Sequence, residues 1–304
     1  MREHEESALM QAIRFQQPDY AACLQALIDR PPFDPQIEKS VAQMLAAIRR
    51  DGDRALVEFA RQYDHVDLTP AEFAVTEAEI DAAGDALTST MRKAIRKAHE
   101  QVRDFSKQRL PKPWSYAPRR GVILGERFVP LDRVGVYVPG GTAPLVSTVL
   151  HTVTLAAVAG VKEIVVVTPA APDKSVHPAL LYAAKRAGAT EIYRLGGVYG
   201  IGALAFGTET VRKVEKIVGP GNAYVTAAKR QVYGYVSLDL VAGPSEIMII
   251  ADETANPSFI AADMLSQIEH GSGREQAVLL TTCDDHLAQV ADALEQQTAE
   301  RTRR

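Results

Sequence analysis

The hydrophobic positions of this chain change their period once, near residue 121. Before that point apolar residues recur three and four apart. Val41, Met44, Leu45 and Ile48 form one such stripe, and Leu56, Val57, Ala60 and Tyr63 form a second. That spacing puts one apolar face on each of two successive helices. Gly52 is placed to end the first helix, and Asp53 to cap the second. Thr76-Glu77-Ala78-Glu79 has the form of a capping box and opens a third helical region. Its apolar stripe continues through Met91, Ile95, Ala98, Val102 and Phe105. Pro111, Pro113 and Pro118 then break any helix, so residues 109–120 read as a linker.

From residue 121 short β-branched runs alternate with alanine-rich helical stretches. The runs are 134–138, 163–167, 191–193 and 216–218, each ending in Gly or Pro and followed by a helix. This βα alternation predicts a parallel sheet covered on both faces. Two more runs, 246–250 and 277–282, are each followed by a helix, the last starting near Asp284 or Asp285. Residues 134–161 contain no charged side chain, but Pro139, Gly140, Gly141 and Pro144 interrupt them. A membrane-spanning helix does not tolerate that interruption, so a buried strand, a turn and a buried helix are expected.

Composition narrows the class. The 304 residues suffice for two domains. Hydrophobic residues at 46% and charged residues at 24% fit a globular protein rather than a disordered one. The net charge of −4 gives no basic surplus to attract nucleic acid or an anionic membrane. Cys23 and Cys283 are too few and too far apart for a disulfide framework, and Met1 to Glu6 lacks the start of a secretory signal. A cytoplasmic protein with reduced thiols is expected.

Three βα loops could hold a ligand beyond the C-terminal ends of the strands. They are Tyr137-Val138-Pro139-Gly140-Gly141-Thr142-Ala143-Pro144, then Gly219-Pro220-Gly221-Asn222, then Ala242-Gly243-Pro244-Ser245-Glu246. Backbone N–H groups at such turns can meet an anion or a polar cofactor edge. Each loop alone is better explained as a tight connection that needs glycine, but the three together favour a site. Gly200-Ile201-Gly202-Ala203-Leu204-Ala205 matches a dinucleotide fingerprint in letters only. Gly196-Gly197 already supplies the turn, so the match falls inside the following helix, and no acidic residue follows where ribose would need one.

Asn256 and Pro257 open a helix whose apolar stripe is Phe259, Ile260, Met264, Leu265 and Ile268. Asp263, Gln267 and His270 form a second stripe on that helix. Side chains three or four apart share a side, so one cation can touch two of them. Spacing alone fits an ordinary polar face better. Among the other histidines, His151 reads as a core residue, His177 as a loop residue, and His4, His65, His99 and His286 as surface. No nucleophile elbow, phosphate-binding P-loop or His-Glu-x-x-His segment is present, so hydrolase and kinase chemistry lack their machinery.

Taken together, residues 136–145, 219–225 (Gly-Pro-Gly-Asn-Ala-Tyr-Val), 242–246 and 266–271 (Ser-Gln-Ile-Glu-His-Gly) resemble the histidinol dehydrogenase family, in the family's order. The resemblance implies an α/β fold of two Rossmann-like doubly wound domains, one inserted in the other, with an N-terminal helical region. Residues 1–30 would be an arm, 31–114 with 245–304 the outer domain, and 115–244 the inserted one. It also implies a zinc-dependent homodimer that oxidises L-histidinol to L-histidine with two NAD in succession. By position, Tyr137 and Asn222 match NAD contacts, Ser245 a substrate contact, and Gln267 and His270 two zinc ligands that also border the substrate.

Two departures qualify this. The family's Gly-Gly-Ala-Gln reads Gly196-Gly197-Val198-Tyr199 here, which replaces a glutamine thought to touch NAD, and His151 stands for a usual methionine. The family's catalytic Glu-His pair and its remaining Asp and His zinc ligands have no counterpart in these residues. The expectation is therefore a truncated member, with little activity as this chain. The alternatives are a related zinc and NAD dehydrogenase for another polar alcohol, and a non-catalytic subunit that keeps the fold.

Overall fold

A computed structural model of the chain describes residues 10–29, 34–140, 144–268 and 275–300. In chain order its elements begin with helices α1 (Tyr20–Ile28), α2 (Pro35–Asp51), α3 (Asp53–Phe59), α4 (Glu77–Ala82) and α5 (Ser89–Gln108). Strands β1 (Trp114–Arg119), β2 (Val122–Glu126) and β3 (Arg133–Tyr137) follow. Then come α6 (Val146–Val158), β4 (Glu163–Val167), α7 (Pro178–Ala187), β5 (Glu191–Tyr193), α8 (Gly197–Phe206), β6 (Lys216–Val218), α9 (Ala223–Val232) and β7 (Ser237–Leu238). The last elements are β8 (Glu246–Ile250), α10 (Pro257–Ile268), β9 (Gln276–Leu280) and α11 (Asp284–Ala299).

The chain divides into two compact units, residues 35–242 and residues 1–34 with 243–304. The first is built on a five-stranded sheet of order β5-β4-β3-β6-β7. Every pairing in it is parallel. Strands one to five of the sheet thus lie in the order 3-2-1-4-5, and the winding reverses between β3 and β6. That is a Rossmann-like topology with its switch point at those two strands. Alternate residues point to opposite faces. Tyr137, Val165, Val167 and Ile217 join one core cluster with residues of α2, α8 and α9. Val136, Ile164 and Val166 join the other with residues of α6 and α7. Both faces are therefore covered, as the β-branched runs predict.

The contacts divide the chain elsewhere than the proline-rich segment suggests. Residues 35–108 cluster with the sheet, not with residues 243–304. The physical reason is the apolar face of α2. Val41, Met44, Leu45 and Ile48 are buried in the same cluster as Val198, Ile201, Leu204 and Val225 of α8 and α9. Segment 109–120 is not a bare linker either. β1 pairs antiparallel with β2 through a turn at Gly121, and the register shifts between Tyr116 and Arg119. Pro118 sits in that irregularity, where a missing N–H does the least harm. β7 is a further strand that two residues were too few to announce.

Several helix ends follow the sequence signals, but Asp53 does not cap α3, because Gly52 takes the N-cap position and Asp53 accepts from Thr210 instead. Thr76 forms its capping box with Glu79, and Gly52 takes φ +54° between α2 and α3. Phe73 is fully buried, and beyond it Val75 N–H donates to Ile192 C=O, which covers the outer edge of β5. At the N-terminal ends of the strands, Arg133 is buried and donates to Glu163 at 2.6 Å and to Glu191 at 2.5 and 2.8 Å.

The second unit is slighter. β8 and β9 form a parallel two-stranded sheet, with α10 and α11 packed through Ile260, Ala261, Met264, Leu265, Val290 and Leu294. Phe259 and Ile268, expected inward, are exposed, because the packed arc of α10 is centred on residues 260, 261, 264 and 265.

Candidate functional site

Ligands of doubly wound sheets bind beyond the strand ends at the switch point. In this chain that place is a cavity of about 860 Å³. The loop after β3 lines it with Tyr137, Pro139 and Gly140, and the loop after β6 with Asn222. Thr168 and Pro169 come from the end of β4, Gly197 and Tyr199 from the start of α8, and Asp64 from the turn after α3. The two sequence-predicted NAD residues, Tyr137 and Asn222, thus border one cavity.

The two loops touch through backbone. Gly219 has φ +120°, and a Cβ there would lie 2.1 Å from the Tyr137 carbonyl oxygen. No other residue fits both demands. Both polar groups of Gly219 are held. Its N–H donates to Asp239 Oδ2 at 2.9 Å, and its C=O accepts from Lys229 Nζ at 2.9 Å. Lys229 is buried and also donates to Asp239 Oδ1 at 2.5 Å. A buried cation paired in this way fixes backbone position. Sequence reasoning passed over Lys229, although it occupies the Val225, Lys229, Val232 stripe of α9, where an apolar residue would be ordinary.

Asn222 caps α9. Its Oδ1 accepts from Val225 N–H at 3.1 Å. The exposed side chain has its amide N–H₂ group still to offer. Tyr137 is mostly a core residue. Burial, with the Asp64 carboxylate nearby, pushes its hydroxyl up to about 12 against the opposing hydrogen bond from the Gly197 amide, so it stays a neutral phenol at physiological pH. Tyr199 is buried too, and its hydroxyl donates to Asp64 Oδ2. Burial raises the phenol's pKa, and the adjacent carboxylate raises it further. Asp64 itself is raised, because burial outweighs the hydrogen bond from Tyr199. Tyr199, at the position where the resemblance implies a glutamine, thus forms a carboxylate–phenol pair with Asp64 at the cavity wall.

His177 was read as a loop residue. It caps α7, its Nδ1 accepting from Ala179 N–H at 3.1 Å, and it lines the cavity. His151, expected in the core, lies exposed on α6, whose buried arc is Val149, Leu150, Val153 and Thr154. His99 and His286, expected at the surface, are buried. Gly200 and Gly202 are buried inside α8, where a Cβ on Gly202 would strike Ile48 at 2.5 Å. The fingerprint-like letters there serve helix packing.

The remaining sequence-predicted residues belong to the other unit. Ser245 is half-buried just before β8, and its C=O accepts from Gln276 N–H at 3.1 Å. Gln267 is half-buried in the last turn of α10. His270 lies outside the described residues. Among the described residues no three His, Cys, Asp or Glu side chains converge as a metal site would require. The cavity sits at the switch point and offers donor and acceptor groups on a mixed polar and apolar wall, chemistry that suits a dinucleotide.

The described helices include none long and apolar enough to cross a membrane. The family model for histidinol dehydrogenase matches residues 30–304. A histidinol dehydrogenase of Thermosynechococcus vestitus is 46% identical over 288 residues, which is 94% of this chain and 67% of that relative. One from Brucella suis is 44% identical over 290 residues, 95% of this chain and 67% of the relative. The crystal structure of histidinol dehydrogenase from Elizabethkingia anophelis superposes with a TM-score of 0.82 at 38% identity, covering 93% of this chain and 65% of that one. The chain therefore spans about two thirds of the length of these relatives. With a matching family model over most of its length, relatives above 40% identity and the same fold, the chain belongs to the histidinol dehydrogenase family.

Proposed function

We propose that this chain binds NAD in the switch-point cavity of residues 35–242 and serves the NAD-dependent oxidation of L-histidinol to L-histidine. The observation that carries the reading is the meeting of Tyr137 and Asn222 on one cavity, between loops locked by Gly219. Bound NAD would supply the hydride acceptor. The chain's own part is to hold and orient it. Asn222 offers an amide donor while its oxygen keeps α9 capped. Tyr137 offers a neutral hydroxyl, and the Lys229–Asp239 pair keeps the β6 loop at its distance from β3. Ser245 and Gln267 enter the proposal as substrate-binding positions, and Gln267 with His270 as zinc ligands, on the family resemblance. The homodimer and the cytosolic setting that the resemblance implies belong to the same proposal.

The test separates cap from contact. Asn222→Asp keeps an acceptor for the Val225 N–H but loses the amide donor. NAD affinity, followed by calorimetric titration, is expected to fall about tenfold, the scale of one lost hydrogen bond plus charge repulsion. An unchanged affinity in a folded variant would remove Asn222 from the site. Absence of NAD binding to the unaltered chain would remove the reading itself.

A further inference from the structure

In doubly wound sheets an acidic residue at the end of the second strand holds the adenosine ribose by its hydroxyls. Here the second strand is β4, and it runs out through Thr168-Pro169-Ala170-Ala171-Pro172 without an acid. A carboxylate reaches the same place from another element. Asp64 ends the one-turn π-helix at residues 60–64, and His65 after it is held in the left-handed region at φ 56°. Left-handed backbone is unfavourable for a side-chain-bearing residue, so the chain accepts strain to make this turn. A Cβ on Gly196 would lie 2.7 Å from Asp64 Oδ2 and equally 2.7 Å from Pro169 Cβ. Gly196 is the residue that lets the carboxylate and the end of β4 share one border of the cavity.

The pair's chemistry is directional. Tyr199 spends its proton on Oδ2 of Asp64. Among the described residues Oδ1 has no hydrogen-bond partner, and Asp64 lines the cavity. An acceptor in that state wants a hydroxyl or an N–H, not an anion. No Arg or Lys is among the described residues lining the cavity, so nothing there would neutralise a phosphate beside Asp64.

We propose that Asp64, braced by Tyr199, is the ribose-binding and cofactor-specificity residue of this cavity, accepting from the adenosine ribose hydroxyls and excluding a 2′-phosphorylated dinucleotide. The inference rests on the NAD reading above and adds the residue that chooses between the two cofactors. Like charges at contact distance supply the exclusion, and the ribose hydroxyl supplies the attraction.

The experiment is a set of calorimetric titrations of the intact chain with NAD, NADP and 2′-deoxy-NAD. The unaltered chain is expected to favour NAD over both others by about tenfold or more. Asp64→Asn, which keeps the shape, is expected to weaken NAD about tenfold and to bring the three ligands within a few-fold of one another. Tyr199→Phe keeps the carboxylate and is expected to preserve the order of the three. A merely structural Asp64 would weaken all ligands alike, and that outcome overturns the inference while leaving the NAD reading intact. An unaltered chain that binds NADP as well as NAD overturns it too. If the unaltered chain binds none of the three, the NAD reading fails and takes this inference with it.

Discussion

The five-stranded unit and the β8–β9 unit each pair their strands in parallel and have the same kind of sequence, yet they differ in cover. In the first, all of β3 and nearly all of β4 are buried, with helices on both faces. In the second, no residue of β8 or β9 is fully buried, and Met248 and Ile250 are 62% and 80% exposed. Ile250 and Val166 are both β-branched residues of parallel strands. Only the second layer of helices separates a core position from a bare one. A two-stranded pair is marginal by itself, whereas five covered strands carry their own core. The switch-point cavity belongs to the covered unit, where loop positions are fixed by packing beneath them.

The largest expected effect breaks the comparison directly. Phe73→Ala in the covered unit empties a fully buried site and should cost about 3–5 kcal/mol. Ile250→Ala in the other unit should change stability by less than about 0.5 kcal/mol. Denaturant unfolding of both variants checks this. Equal losses would mean that β8 is as well covered as the large sheet.

A smaller effect sharpens the account of the covered unit from the opposite end of its strands. Hydrogen bonds from Arg133 hold Glu191 and Glu163 below the ordinary carboxylate range. A carboxylate depressed in the folded state stabilises above its unfolded pKa, and that stability is lost as pH falls through the depressed value. The unaltered chain should therefore lose stability progressively below about pH 4.5. Glu191→Gln should cost on the order of 1–2 kcal/mol at neutral pH, because Glu191 is a third exposed, and should show a shallower acid limb. Thermal unfolding across pH reads both. An unchanged acid limb would show that the pair does not couple to folding.

Much of this was legible before any coordinates. The β-branched runs at 134–138 and 163–167 became β3 and β4, and the Gly-Gly and Gly-Pro-Gly turns marked the switch point. The loops that carry Tyr137 and Asn222 could be found because they are local and need glycine, while the two residues themselves were singled out by the family resemblance. What stayed hidden was non-local. Asp64 meets Tyr199 across 135 positions, and no periodicity records such a pairing. Lys229 left a trace as a charge in an apolar stripe, but its partner Asp239 lies on the next element. Prolines at 111, 113 and 118 look like a boundary, yet the contacts group residues 35–108 with the sheet that follows them. The apolar stripe of α2 has its partner in α8 and α9, a fact that only packing reveals.

The central claim is that the cavity between the β3 and β6 loops takes NAD. Amide hydrogen exchange of the intact chain, with and without saturating NAD, tests it most directly. The account predicts slowed exchange at Gly140, at Thr168, Ala170 and Ala171 after β4, at residues 197–199, and at residues 221–224. Saturable NAD binding with no slowing at any of these segments would contradict it.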